Sequence, residues 1–431
     1  MNNVRGFRCT ICGAEYDVGE VRYVCPKHGD TGILDVLYDY EAIGSQMTLG
    51  DLLANPERSI WRYLPLLPVD PKLARRLSDG TTLGSVGWTP MVTAPRLAEE
   101  LNLEFLWVKD DGRQPTASYK DRASAIAVVK AREEEAEIVT TASTGNAAAA
   151  LSGLCAAVGQ ANVIFVPRSA PQAKIAQLLA YGSTVLLVDG SYDQAFDLCL
   201  EAARAFGWYN RNTAYNPFMS EGKKTAAYEV CEQLTRMEGG EEEPDRLTAP
   251  DVVFVSVGDG CIIGGIHKGF RDLMALGWID RMPRIVGVQA EGSSPLVDAW
   301  EQGLEGWEME PSEAASVADS IVAGFPRDRN KALCAVRDSR GAFLSVDDDQ
   351  ILAAIPALAQ GCGVFAEPAA AAAYAGLVEA VDVGLVTTDD RVVVLSTGSG
   401  LKDVDSVMQA VGEAHVVEPS LADVRQTLRL E

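Results

Sequence analysis

The sequence predicts an α/β fold built on mostly parallel sheet, and three observations carry that prediction. Strand and helix patterns alternate from Leu103 to Phe206. A second run of the same kind starts at Asp251-Val252-Val253-Phe254-Val255 and ends at Val392-Val393-Val394-Leu395. Glycine- and hydroxyl-rich loops follow several of these strands, where open α/β sheets place their ligands. A chain of 431 residues has room for two or three domains.

Composition narrows the function. Hydrophobic residues make up 47% of the chain and charged residues 23%, as in ordinary globular proteins. A formal charge of -24 argues against nucleic acid and anionic membrane surfaces as partners. The first residues, Met1 to Gly6, lack the apolar core of a signal peptide, and the weakly polar run Ala147 to Gly159 is too short to span a bilayer. Nine cysteines, odd in number and mostly scattered, fit a reducing compartment, so a cytoplasmic location is expected.

The chain opens on Cys9-Thr10-Ile11-Cys12 and Cys25-Pro26-Lys27-His28, the spacing of a zinc ribbon with three thiolates and one imidazole. A metal-free relic held by packing, or thiols that oxidise, are the other readings of that pattern. With four ligands the zinc would be structural. Helical segments and proline-rich turns fill Ser45 to Thr89. The alternating run then reads strand Leu103–Lys109, helix Ser118–Glu135, strand Glu137–Thr141 and helix Asn146–Val158. It continues as strand Asn162–Val166, helix Ala170–Tyr181, strand Thr184–Val188 and helix Tyr192–Phe206. Glu238 to Pro244 reads as an acidic, solvated loop.

Three places in this frame carry chemistry. In Gln114-Pro115-Thr116-Ala117-Ser118-Tyr119-Lys120-Asp121-Arg122, a proline turn precedes a helix, and Ser118 with Asp121 has the spacing of a capping box. Lys120 then stands in the first helical turn, where the helix dipole disfavours a cation and favours loss of its proton. In Thr141-Ala142-Ser143-Thr144-Gly145-Asn146, small residues between strand and helix let amides and hydroxyls surround a carboxylate. In Val257-Gly258-Asp259-Gly260-Cys261-Ile262-Ile263-Gly264-Gly265, the glycines suit either a dinucleotide or a single phosphate at a helix N-terminus. Glu291, ending the next strand, could serve a ribose, which makes a nicotinamide-dependent oxidoreductase a rival reading. Asp259 would repel a phosphate, so its side chain should point away. Pro217 spoils a P-loop at Glu221-Gly222-Lys223-Lys224-Thr225, and the three histidines form no hydrolase set.

Taken in order, these stretches resemble threonine synthases and their relatives, the fold type II pyridoxal-phosphate enzymes. Pro115 to Arg122 is similar to the family's P-T-G-S-F-K-D-R, which makes Lys120 the lysine that holds the cofactor. Ser143-Thr144-Gly145-Asn146 is similar to S-[ST]-G-N. The resemblance implies that Asn146 binds the cofactor's 3-hydroxyl and that Ser143 and Thr144 hold the substrate carboxylate. Gly258, Asp259, Gly260, Cys261 and Ile262 occupy the phosphate-cradle position, and Thr397 in Thr397-Gly398-Ser399-Gly400-Leu401-Lys402-Asp403 matches the hydroxyl that faces the pyridine nitrogen. Glu367-Pro368-Ala369 is similar to an E-P-A-S-A turn with Ala370 at the serine, and the cysteine leader is similar to that of many members.

The family implies two open, twisted α/β domains with pyridoxal phosphate between them. The leader is residues 1–42, the larger domain 43–117 with 211–431, and the smaller, mobile domain 118–210. It also implies a homodimer and a small amino-acid substrate. A hydroxyl opposite the ring nitrogen favours elimination and replacement over transamination, with Lys120 as general acid and base. The expected activity is elimination or replacement at Cβ or Cγ, giving threonine from O-phosphohomoserine in a true threonine synthase. The chain departs from the family where substrate phosphate is gripped. Against N-S-x-N-P-x-R-x-E-G-Q-K-T it has Thr213, Ala214 and Met219 at the first asparagine, the serine and the arginine, leaving Lys174 as partial compensation. An amino-acid ammonia-lyase or a β-replacement synthase with an unphosphorylated substrate is therefore the alternative.

Overall fold

The computed structural model describes residues 3–143, 145–168, 170, 172–239 and 245–430. Thr144, and residues 240–244 of the acidic stretch, lie outside them. Three sheets organise the chain. In the leader, β1 (Val4–Cys9), β2 (Glu15–Asp17) and β3 (Leu34–Tyr38) pair antiparallel in the order β2-β1-β3. A six-stranded sheet takes β4 (Met91–Thr93), β5 (Phe105–Asp110), β10 (Val252–Ser256), β11 (Arg284–Ala290), β12 (Ala342–Val346) and β13 (Arg391–Ser396). Its order is β12-β11-β10-β13-β5-β4, parallel except at the β4 edge. A four-stranded parallel sheet, β8-β7-β6-β9, is made of β6 (Ile138–Ala142), β7 (Ala161–Pro167), β8 (Thr184–Val188) and β9 (Tyr209–Asn210).

The large sheet is covered on both faces, which is why its strands are continuous β-branched runs. Val253, Val255, Ile285, Val393 and Leu395 enter one apolar cluster. Their neighbours Val252, Phe254, Val286, Val392 and Val394 enter the other, as a period of two requires.

Strand and helix boundaries fall within two residues of the sequence expectation, and one difference has a clear cause. The expected helix from Ser118 begins instead at Lys120 and runs to Glu133. The Tyr119 amide donates to the Thr397 carbonyl at 2.9 Å and the Ser399 amide to the Ala117 carbonyl at 3.1 Å, so residues 117–119 belong to a seam with the 397–399 loop. The capping box is overturned as well. The helix has no side-chain cap, the Ser118 hydroxyl is buried without a partner among the described residues, and Asp121 turns back to accept from the Thr116 amide at 2.7 Å and the Thr116 hydroxyl. Ala117, where the family has glycine, sits at φ +64°, a left-handed conformation that strains an alanine.

Beyond β9 the chain forms two consecutive helices, Met219–Lys223 and Thr225–Met237. The first is wedged between the Lys120 helix and the helix Cys261–Ala275. A Cβ on Gly222 would lie 2.0 Å from the Arg122 carbonyl oxygen, and one on Gly265 2.8 Å from the Lys223 Cβ. The leader packs on the outside of this wedge. Phe7 meets Phe218 edge-on at 5.7 Å between ring centroids, and the Tyr38 hydroxyl donates to Glu221 Oε2 at 2.7 Å. Lys268 Nζ reaches back to the Val36 carbonyl at 2.5 Å. No helix among the described residues is long and apolar enough to cross a membrane.

Candidate active site

Lys120 opens its helix from a rigid base. Two residues on, Arg122 is fully buried and grips two carboxylates. Its Nε donates to Asp111 Oδ2 at 2.6 Å and its Nη1 to Glu229 Oε1 at 2.5 Å. Burial would raise Glu229, but Arg122 and Lys109 outweigh it and hold the carboxyl at about 2. This ionic seat fixes the first turn of the helix. The Lys120 amine behaves in the opposite sense. Burial, reinforced by the cations of Lys223 and Arg211, pushes its pKa down to about 8. It can therefore exchange a proton near neutral pH.

The glycine loop lies across from it. β10 ends at Ser256 and, after a four-residue loop, the 15-residue helix Cys261–Ala275 begins, so the loop leads directly into a helix N-terminus, where an anion is favoured. Gly260 adopts φ +89°, open only to glycine at low cost. A Cβ at Gly258 would come within 2.9 Å of the Ile321 backbone. Gly264 and Gly265 likewise allow close packing, against Lys331 and Lys223. Asp259 accepts the Arg327 amide at 3.2 Å through Oδ1, and burial raises its pKa.

Asn146 is the first residue of the helix Asn146–Val158, and its Nδ2 donates to Glu367 Oε1 at 2.7 Å. Burial lifts the Glu367 carboxyl to about 7. The Ser143 hydroxyl accepts the Gly145 amide at 3.2 Å. Thr397 follows β13 directly and is 7% exposed.

Lys120, Ser143, Asn146, the loop from Gly258 to Ile262 and Thr397 all line one cavity of about 590 Å³, which suits a small ligand. Walls from both parallel sheets close it. Lys174 does not line it; its ammonium is held at 2.6 Å by Asp319, which does. The cavity also exposes three groups the sequence reading assigned no role: Arg211, Lys223 and Glu367. A lysine in place of the family's glutamine at 223 was a readable signal. Arg211 carried none, since it enters only through the pairing of β9 with β6.

These residues fit pyridoxal phosphate. The loop from Gly258 to Ile262 lines the cavity at the N-terminus of the helix Cys261–Ala275, where a phosphate is favoured. Lys120 supplies a buried amine of lowered basicity, and Thr397 a neutral hydroxyl in the cavity wall. The leader cluster fits zinc in the same sense. One ligand atom from each of Cys9, Cys12, Cys25 and His28 lies within 4.8 Å of all the others. His28 Nδ1 stands 3.7 Å from Cys9 Sγ and 3.5 Å from Cys25 Sγ. Ligands on a tetrahedral zinc are separated by about 3.5–3.8 Å.

Comparison with known proteins agrees with the geometry. The family model described as pyridoxal-phosphate dependent enzyme matches residues 82–398. The threonine synthase of Methanosarcina acetivorans is 38% identical, covering 98% of this chain and 98% of its own. That of Methanocaldococcus jannaschii is 35% identical, covering 98% and 99%. Among solved structures, Escherichia coli diaminopropionate ammonia lyase overlays with a TM-score of 0.64 at 18% identity, over 82% of this chain and 94% of that one. Threonine deaminase isoform 2 of Solanum lycopersicum gives 0.61 at 20% identity, over 81% and 96%. With the family shown, the nicotinamide reading falls away, and the chain belongs to the pyridoxal-phosphate dependent enzymes as a threonine synthase-like lyase of fold type II.

Proposed function

We propose that this lyase releases phosphate from O-phosphohomoserine and forms threonine. In that reaction the Cγ–O bond to phosphate breaks, water adds at Cβ, and amino-acid phosphate plus water become threonine plus inorganic phosphate. The observation that carries the reading is Lys120, a buried amine near neutral basicity in one cavity with the Gly258 loop, Asn146 and Thr397. Full-length likeness to two threonine synthases supports it.

Lys120 would hold pyridoxal phosphate covalently, the amides of Gly258 to Ile262 its phosphate, Asn146 its 3-hydroxyl and Thr397 its ring nitrogen. When bound, the cofactor supplies the electron sink that acidifies hydrogens on the substrate's carbons. The chain's own residues do the rest. Lys120 Nζ, once released by substrate, takes and returns the protons. Ser143 and Thr144 receive the substrate carboxylate at a helix N-terminus. Glu367 anchors the Asn146 amide, whose second N–H would be left to donate to the cofactor. The four leader ligands hold a structural zinc. We place the smaller domain at 118–210, with the larger one around it, and expect a homodimer. Exposed apolar side chains of Leu401, Val404 and Met408 support an interface there.

A second reading keeps its ground: Met219, at the family's arginine, favours an ammonia-lyase acting on an unphosphorylated amino acid. Product analysis separates them. Purified holoenzyme given O-phosphohomoserine should release phosphate and threonine in equal amounts; ammonia and keto acid without phosphate would select the lyase. Lys120→Ala should abolish turnover and the visible absorbance of the lysine-bound cofactor. Persistence of that absorbance would refute the role given to Lys120.

A further inference from the structure

This protein pairs most of its deeply buried cations. Arg62 meets Glu232 at 2.5 Å, Lys109 meets Glu229 at 2.7 Å, Lys224 meets Asp272 at 2.7 Å and Lys268 meets Asp35 at 2.8 Å. That is expected, because a buried charge without a partner costs several kcal/mol. Arg211 and Lys223 depart from the pattern. Arg211 is 1% exposed and Lys223 0%, both line the cavity that contains Lys120, and among the described residues neither forms an ion pair.

Their donors converge on a gap. Arg211 Nε donates to Ser124 Oγ and Nη1 to Thr213 Oγ1, each at 3.2 Å, while Nη2 is buried with no partner among the described residues. Lys223 Nζ reaches the same Thr213 Oγ1 at 3.5 Å. With its oxygen accepting from both cations, the Thr213 hydroxyl has its own hydrogen left to donate. Asp259, the acidic group in this wall, is turned to the Arg327 amide. Ser124 lies one helical turn after Lys120 on the same face, so the guanidinium stands a short way along the cavity from the reactive amine.

A forked cation, a point cation and a hydroxyl around one space match the oxygens of a phosphate monoester. The cofactor's phosphate has the Gly258 loop amides, so this second group of donors calls for a second anion. The sequence agrees. Met219 is buried in the apolar core, and Lys223 stands four residues on, on the same face of the Met219–Lys223 helix. The positive charge missing at 219 returns one turn later, where the family has glutamine.

We propose that Arg211, Lys223 and Thr213 bind the phosphate of a phosphorylated amino-acid substrate, in place of the family's arginine at 219. The proposal rests on the phosphate-releasing reading above. It is tested on holoenzyme with two probes. In calorimetric titration with inorganic phosphate, Arg211→Gln and Lys223→Gln should each weaken binding about 10- to 100-fold, the loss of one charge-assisted hydrogen bond. With O-phosphohomoserine the same variants should raise KM by a similar factor and change kcat less, with cofactor content and visible absorbance intact. Adding Met219→Arg to Lys223→Gln should recover part of the loss. Unchanged phosphate binding in both variants overturns the proposal. So does loss of cofactor in place of loss of phosphate binding, which would give these cations to the cofactor's own phosphate. If wild-type enzyme binds phosphate through Arg211 yet releases none from O-phosphohomoserine, the substrate named above is wrong and the anion site stands.

Discussion

Glu367 shows how a single residue can be tuned by its surroundings. Buried beside Asn146, its carboxyl titrates near 7, well above its value in an unfolded chain. Between about pH 4.5 and 7 the native state therefore holds a proton that the unfolded state has released, and stability falls as pH rises through that window. The full loss is on the order of 3 kcal/mol above pH 7. Glu367→Gln is neutral throughout and keeps an oxygen for Asn146. Its melting temperature should therefore gain on wild type from pH 4.5 to 7 and run parallel above. Parallel curves across the whole range would show that Glu367 is ionised in the native state at low pH. The motif Glu367-Pro368-Ala369 was readable as a family turn. The role of its carboxylate was not, because the contact with Asn146 spans 221 residues of sequence.

Among elements, the short helix Met219–Lys223 matters most. It has five residues and no side-chain cap, too few to be stable alone, so packing must hold it. Gly222 makes that packing possible by letting the helix backbone touch the Arg122 carbonyl. Gly222→Ala would place a Cβ 2.0 Å from that oxygen, against backbone that cannot rotate away. A loss of at least about 3 kcal/mol in chemical denaturation is expected, beyond the usual range of overpacking. Because Lys223 rides on this helix, KM for the phosphorylated substrate should rise with it. A variant as stable as wild type would mean the wedge is looser than described. Here the sequence displayed the motif and its departures, and concealed that Met219 is buried in the core while the longer Lys223 side chain beside it reaches the cavity.

At the scale of the whole molecule, the cysteine leader buttresses the active site from outside. Its strands pack Phe7 on Phe218 and Tyr38 on Glu221, directly behind the helix that carries Lys223. The Tyr23 hydroxyl accepts the Asn210 amide at 3.1 Å, next to Arg211. Removing zinc by chelation, or Cys25→Ser, should lower the melting temperature by several degrees and raise KM more than it lowers kcat. Metal analysis of purified protein should give one zinc per chain. Full stability and unchanged kinetics after complete chelation would leave the leader without the supporting role argued for it.

The sequence by itself determined the α/β class, most element positions within two residues, the family motifs and the spacing of the four leader residues that the structure gathers. All of these are local: they follow from period, turn chemistry and short motifs that fold beside themselves. Tertiary structure decided what lies between elements. It gave residues 118–119 to a seam with Thr397 and Ser399 in place of a capping box, and tied Lys174 to Asp319. It also placed Arg211 and Lys223, from either end of the stretch where the chain departs from the family motif, around one hydroxyl. Burial and the absence of a carboxylate partner are properties of the packed molecule, and those two properties turn a pair of ordinary cations into an anion site.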